Sequence, residues 1–319
     1  MDRTAAVDSS GLHQQIATTL AAHLQPDPIW RWSVNGHAWV LDLTRPNIMG
    51  IVNVTLDSFS GDGLAADRQA AIASALAMAE AGADMLDIGG ESTRPGAGVV
   101  SVDEELERVI PVVEELVGAV AIPVAVDTSK PEVMRAAIAA GAALINDVTA
   151  LRGAESDLHA GEATARMLAA TQTPAVLMHM QNRPQTMQKA PHYDHVVAEV
   201  YDFLQQRRDL CVACGMPVDR LICDPGIGFG KNGWHNLALL RRRRVFRGLG
   251  LPLLLGFSRK RLLGELTGIA DPQKRDLASH ILSAVADAAI VRVHDVSGAR
   301  QALHIMNGWR HSVRQGATA

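Results

Sequence analysis

Eight times along 319 residues a short aliphatic run stops abruptly at side chains able to do chemistry. The first runs from Ile48 to Val52 and gives way to Asn53, Thr55 and Asp57, then to the glycines Gly61 and Gly63. The second, Asp84 to Gly89, is broken by Asp87 and followed by the polar loop Gly90 to Gly96; the third ends at Asp127, and the fourth at Asn146 and Asp147. The remaining four end at His179, at Asp224, at Ser258, and, in Ala289 to Val296, at Arg292 and His294. Runs this apolar suit strands buried on both faces, and such strands present chemistry only where they stop.

Between the runs, Asp67 to Ala81, Asp103 to Ala119, Pro131 to Ala140, Glu162 to Thr171, His195 to Cys214 and Lys274 to Ala288 carry apolar residues at helical spacing. Gly82, Gly118, Gly141 and Gly215 are placed to close helices in the left-handed conformation. Strands alternating with helices predict an α/β chain folded as a (β/α)8 TIM barrel of roughly 250 residues, with the eight polar strand ends converging on one mouth. Ahead of the barrel, Ile29 to Asp42 alternates about Asn35-Gly36, a two-residue hairpin signal. Its Trp30, Trp32 and Trp39 need a surface, and the open barrel bottom supplies one. The expected organisation is an unpatterned, poorly ordered extension over 1–28 and a single barrel domain over 29–319 that includes the hairpin.

Composition narrows the class. With 48% hydrophobic and 20% charged residues the chain can bury one large core, and its net charge of −4 provides no general basic field for nucleic acid or membrane. No run reaches transmembrane length, and the start lacks the basic opening and apolar core of a signal peptide. Three cysteines fit a reducing compartment, so the expected location is cytoplasmic.

Each candidate also has a plain structural explanation. An Asp at a strand end is usually a cap or turn former, and Asp127-Thr-Ser-Lys-Pro131 reads as a capped helix start. His179 and His294, taken singly, suit core or rim positions. Gly226-Ile-Gly-Phe-Gly-Lys231 lacks phosphate-loop spacing and has Asn232 where a hydroxyl should follow, which argues against nucleotide binding. Cys211-Val-Ala-Cys214 ends a helix without a second pair and reads as structural. His192 and His195 read as loop and helix-start residues, and Arg241 to Arg244 as a solvated outer helix face. Only the shared barrel end lifts the strand-end residues above these explanations.

Taken in order, the strand-end motifs resemble those of the dihydropteroate synthase family. Met49 to Ser60 resembles its opening signature and Asp87 to Gly96 its second; Asp127 to Pro131, Ile145 to Asp147, Leu177 to Met180, Asp224 to Lys231, Ser258 to Lys260 and Arg292 to Asp295 follow, spanning about Leu41 to Asn307. The resemblance implies a transferase of folate biosynthesis. It would join p-aminobenzoate to the methylene carbon of 6-hydroxymethyl-7,8-dihydropterin pyrophosphate and release 7,8-dihydropteroate and pyrophosphate, with Mg²⁺ as cofactor, a homodimeric assembly and sulfonamides as inhibitors.

By the same resemblance, Asn146, Asp224 and Lys260 contact the pterin edges, Asp127 lies close to the ring, Met178 packs on it, and Asp87 and Phe229 belong to the substrate site. Arg292 and His294 resemble pyrophosphate contacts and Asn53 the residue at the Mg²⁺ site. Ser258, before a helix start suited to an anion, is the candidate for the p-aminobenzoate carboxylate, with Thr93, Arg94 and Pro95 on a loop that closes over the site. Asp127 would stabilise the cation developing in a dissociative displacement, and Asp127, Lys260, Arg292, His294, Thr93 and Arg94 form the catalytic set.

Two positions depart from the family pattern. Leu56 stands where proline is usual, and Gly61-Asp62-Gly63 replaces Asp-Gly-Gly. Leucine leaves the open loop freer by about 0.4 to 1 kcal/mol, so Leu56→Pro is expected to lower the Michaelis constant for p-aminobenzoate. Two further readings stay open: a methyltetrahydrofolate methyltransferase-type pterin module, which has no need of Asn53-Val-Thr55, Thr93-Arg-Pro95 or the Arg292 and His294 pair, and a non-catalytic pterin-binding paralogue.

Overall fold

A computed structural model of the chain describes residues 27–54, 63–92, 98–153 and 160–316. β1 (Ile29–Val34) and β2 (His37–Asp42) pair antiparallel about Asn35 and Gly36, whose φ angles of 51° and 81° are those a two-residue turn needs to match strand twist. Trp30 and Trp32 stack at 4.2 Å on the buried face. The Trp32 indole N–H donates to Ala143 O at 2.9 Å, that of Trp30 to Asp219 O at 2.5 Å, and Asn35 Nδ2 to Ile138 O at 2.6 Å. Ala143 and Asp219 precede barrel strands, so the hairpin closes the bottom, as its tryptophans predict.

The barrel follows as β3 (Asn47–Asn53), α1 (Gly63–Glu80), β4 (Met85–Gly89), α2 (Val102–Ala119), β5 (Val124–Asp127), α3 (Pro131–Ala139), β6 (Leu144–Asp147) and α4 (Glu162–Thr171). It continues as β7 (Ala175–Met178), α5 (Val196–Ala213), β8 (Leu221–Asp224), α6 (Gly233–Arg241), β9 (Leu254–Leu255), α7 (Arg261–Thr267), α8 (Asp276–Val285), β10 (Ile290–Val293) and α9 (Val296–Gly316). The eight strands are parallel in the order β8-β7-β6-β5-β4-β3-β10-β9. The ring closes where Cys223 bridges Leu253 and its N–H donates to Pro252 O at 3.0 Å. Strand interiors are buried, as a sheet covered inside and out requires.

Several expectations need correction. β9 keeps only two residues of the expected run, because Pro252 has no N–H to give the ladder and Gly256 ends the pairing. Gly118 lies inside α2, which stops at an extended Val120, whereas Gly82, Gly141 and Gly215 have φ of 91°, 104° and 95°. The helix expected over Lys274 to Ala288 is a 3-10 turn (Pro272–Arg275) followed by α8. The Arg241 to Arg244 run straddles the end of α6 and a 3-10 segment (Arg243–Leu249) instead of lying on one helix. Arg241, Arg242 and Arg244 are exposed, with Arg244 paired to Asp287, whereas Arg243 is half-buried and donates to Leu240 O and Val285 O. Helices α6 and α9 are additional to the stretches of helical spacing, and α7 is the helix expected to follow Ser258. Of the extension expected over 1–28, residues 1–26 lie outside the described residues.

The bottom is built for stability. Asp84 accepts from Ile48 N–H at 2.7 Å and pairs with Arg45 and Arg300, both at 2.7 Å. The mouth is built differently.

Candidate active site

Parallel pairing aligns the strand ends: Asn53 lies beside Gly89, Gly89 beside Asp127, Asp127 beside Asn146, and Met178 beside Asp224. Asp87, one pleat deeper, and Arg292 on β10 complete a polar layer across the barrel. The Arg292 guanidinium donates from Nε to Asp87 Oδ2 at 2.5 Å and from Nη2 to Asp127 Oδ2 at 2.8 Å. Asn146 Nδ2 donates to the same Asp87 oxygen at 2.8 Å, which turns the Asn146 carbonyl away from Asp87. One cation thus serves two carboxylates. Burial pushes the Asp127 carboxyl up to about 7 against the pull of Arg292, with Asp87 adding to the rise. Arg292 stays charged: its pKa is raised because Asp87 and Asp127 outweigh its own desolvation.

On the opposite wall, Asp224 accepts the Gly226 N–H at 2.7 Å, and Lys260 Nζ donates to Ile227 O at 2.6 Å while standing 4.5 Å above the Phe229 ring. Burial brings the Lys260 ammonium down to about 8, partly offset by Asp224, and raises the Asp224 carboxyl, partly offset by Lys260. Beside them, Met178, Met180, Met187 and Val148 pack into a small apolar cluster with Phe229, separate from the main core. Of these, Val148, Met180 and Met187 were not foreseen; Met180 carried a faint signal as the period-two partner of Met178, and Met187 carried none.

The glycine-rich segment is explained by close approach. A Cβ on Gly226, at φ 69°, would lie 1.9 Å from His179 O, and one on Gly230 would lie 2.7 Å from Gln181. Lys231 is buried, donates to the carbonyls of Phe229 at 2.9 Å and His179 at 3.3 Å, and lies 2.9 Å from His179 Nδ1. Burial lowers the pKa of both groups, and a neighbouring lysine adds to the fall in each: Lys231 for His179 and Lys260 for Lys231.

Ser258 is buried with its Oγ 3.0 Å from His294 Nδ1 and accepting the His294 N–H at 3.2 Å. Its oxygen is therefore already engaged by His294. It does not head a helix, since α7 starts at Arg261 with Lys260 as cap. Asp127 is not a cap either: Lys130 is the N-cap of α3, and Thr128 Oγ1 accepts its N–H at 3.2 Å. Lys130 instead bridges Glu91, at 2.5 Å, and the buried Glu105, a cluster the sequence reading missed.

Asn53 ends β3 with an exposed side chain. Among the described residues no group of three or more His, Cys, Asp or Glu could hold a metal ion, so these residues alone make no metal cage. Cys211, Cys214 and Cys223 are all unbridged, and burial pushes Cys211 up to about 12, in keeping with a structural role. Thr93, Arg94, Pro95, Leu56, Gly61 and Asp62 lie outside the described residues. A cavity of about 390 Å³ lies beneath the hairpin, lined by Trp39, Leu41, Arg45 and Asp84. It is at the wrong end of the barrel for the polar strand ends. Among the described residues no helix is long and apolar enough to cross a membrane.

Residues 49–294 match the family profile described as pterin binding enzyme. The dihydropteroate synthase of Escherichia coli (strain K12) is 45% identical over 268 residues, covering 83% of this chain and 92% of that protein. The structure of Xanthomonas albilineans dihydropteroate synthase with 4-aminobenzoic acid superposes with a TM-score of 0.79 at 48% identity, covering 88% of this chain and 98% of that one. A Yersinia pestis dihydropteroate synthase in a sulfonamide drug complex gives a TM-score of 0.79 at 42% identity, covering 88% and 99%.

Proposed function

This chain belongs to the pterin-binding enzyme family, and from that premise we propose that it works as a dihydropteroate synthase, a transferase joining p-aminobenzoate to 6-hydroxymethyl-7,8-dihydropterin pyrophosphate with release of pyrophosphate. The observation that carries the reading at the site is the meeting of Asp87, Asp127, Asn146, Asp224, Lys260 and Arg292 at one barrel mouth.

Each group has a task that its geometry supports. The Asn146 carbonyl and the second Asp224 oxygen accept from the amino and ring N–H groups of the pterin, and the remaining Lys260 N–H bonds donate to a carbonyl or ring nitrogen. Met178 and its apolar neighbours give the ring a flat, dry seat. Asp127 faces the developing cation as the bond to pyrophosphate breaks, and a fixed charge there favours the transition state over the ground state. Arg292 and His294 receive the departing diphosphate; Arg292 does so through its outer nitrogen, since Nε and Nη2 are engaged inward.

Magnesium bound with the diphosphate would neutralise charge on the leaving group, and the exposed Asn53 amide suits it as a single oxygen ligand. Ser258 orients His294 through its oxygen, which accepts the His294 N–H, and donates its O–H to the p-aminobenzoate carboxylate, with Thr93, Arg94 and Pro95 completing the pocket. A sulfonamide imitates that anion.

The proposed location is cytoplasmic, and residues 29–319 form the proposed domain. A homodimer is proposed as well. Leu277, Ile281 and Val285 on α8, inside the stretch of helical spacing from Lys274 to Ala288, are exposed, as are Ile305 and Trp309 on α9, and together they offer an apolar face. The test of function is an assay with both substrates and Mg²⁺, with expected formation of dihydropteroate and pyrophosphate in equal amounts and sulfonamide inhibition relieved by added p-aminobenzoate. Pterin binding without product would instead identify the non-catalytic paralogue.

A further inference from the structure

Between the proposed substrate contacts Ser258 and Lys260, Arg259 stands in the left-handed region at φ 59°. A residue with a Cβ is disfavoured there, because the Cβ crowds the neighbouring carbonyl, and it persists only where its surroundings over-determine it. Arg259 is held at both its backbone and its side chain. Its guanidinium donates from Nε to Asp276 Oδ1 and from Nη2 to Asp276 Oδ2, both at 2.7 Å. Its N–H donates to Ser279 Oγ at 3.1 Å, and its carbonyl accepts from Arg275 Nη1 at 3.0 Å.

All three partners come from the start of α8 and the turn before it, and they are locked to one another. Ser279 Oγ donates to Arg275 O at 2.9 Å, and Arg275 Nε donates to Ile269 O at 2.9 Å. A Cβ on Gly264 would lie 2.6 Å from Arg275 Nη2, so α7 packs directly on the same group. The hydrogen bonds from Arg259 hold Asp276 below the usual carboxylate range, which keeps the pair charged at any working pH. On one side of the backbone reversal at Arg259, Ser258 reaches His294, and on the other, Lys260 reaches Ile227 O across the mouth.

We propose that Asp276, supported by Ser279 and Arg275, is a positioning residue for the condensation: it holds Arg259 left-handed and thereby keeps Ser258 and Lys260 aimed together at the substrates. The proposal rests on the assignment of Ser258 and Lys260 as substrate contacts.

A double-mutant cycle tests it. Asp276→Asn is expected to raise the Michaelis constant for p-aminobenzoate about tenfold, with a smaller fall in kcat. Arg259→Gly, which takes positive φ without a clamp, is expected to raise it only about threefold. Adding Asp276→Asn to Arg259→Gly then changes it by less than about twofold. Loss of folded protein lowers kcat and leaves the Michaelis constant alone, so the constant is the diagnostic. Ser279→Ala, expected to raise it about threefold, serves if Asp276→Asn does not fold. A Michaelis constant unchanged in these single variants, or Asp276→Asn acting equally in both backgrounds, overturns the clamp while wild-type turnover stands. A wild-type chain that forms no dihydropteroate overturns the assignment of function itself.

Discussion

Arg292 is the residue on which the site's electrostatics turn. Truncating it to alanine leaves Asp87 and Asp127 buried without their shared cation, and the expected loss is about 3–5 kcal/mol of stability, read as a lower urea midpoint at unchanged slope. Arg292→Lys offers one point charge where a planar fork now bridges two carboxylates, and kcat should fall about 100-fold or more with the fold intact. The pH dependence follows from two groups. Asp127 works ionised and sits near 7, so kcat/KM rises with pH through about 7; Lys260 works protonated and sits near 8, so kcat/KM falls as pH rises beyond about 8. A profile flat on the alkaline side up to about pH 10 would remove the Lys260 charge from the chemistry. Local sequence could not assign these roles. Asp127-Thr-Ser-Lys-Pro131 satisfies the rules for a helix cap, and only the position of β10 shows that Asp127 turns inward to Arg292.

Whole elements divide the labour between the two ends of the barrel. The hairpin of β1 and β2 is a bottom cover, and Trp32→Ala removes both a buried ring and the N–H bond to Ala143. The expected cost is about 3–5 kcal/mol by chemical unfolding, with kcat/KM of the folded fraction unchanged. At the mouth, Gly226→Ala should do the reverse. Its Cβ would meet the His179 carbonyl at 1.9 Å, so the segments carrying Met178 and Asp224 must separate, and dihydropterin pyrophosphate affinity should drop measurably by calorimetry. The hairpin was legible because Asn35-Gly36 and the alternating tryptophans are local signals. Helices α6 and α7 were legible only as a basic run and as a helix start after Ser258, since short segments packed beside 3-10 turns lack enough turns to show a period.

At the scale of the whole molecule, the apolar face of α8 and α9 predicts a second copy. Ile281→Glu should convert a dimer to a monomer in sedimentation velocity, and a protein already monomeric at assay concentrations would remove that face from the assembly. The eight strands, their order and the end at which chemistry gathers could be read from the chain alone, because an apolar run and its polar stop are properties of consecutive residues and alternation with helices leaves few ways to close a sheet. Which side chains act as one group could not. Asp87 and Arg292 are 205 residues apart and Asp127 and Arg292 are 165 apart, so their sharing of charge depends on strand register and ring closure, where a slip of one residue would turn each side chain to the other face of the sheet. The left-handed Arg259 belongs to the same category: its conformation is imposed by α8 against its intrinsic preference, and no pattern of neighbouring residues announces it.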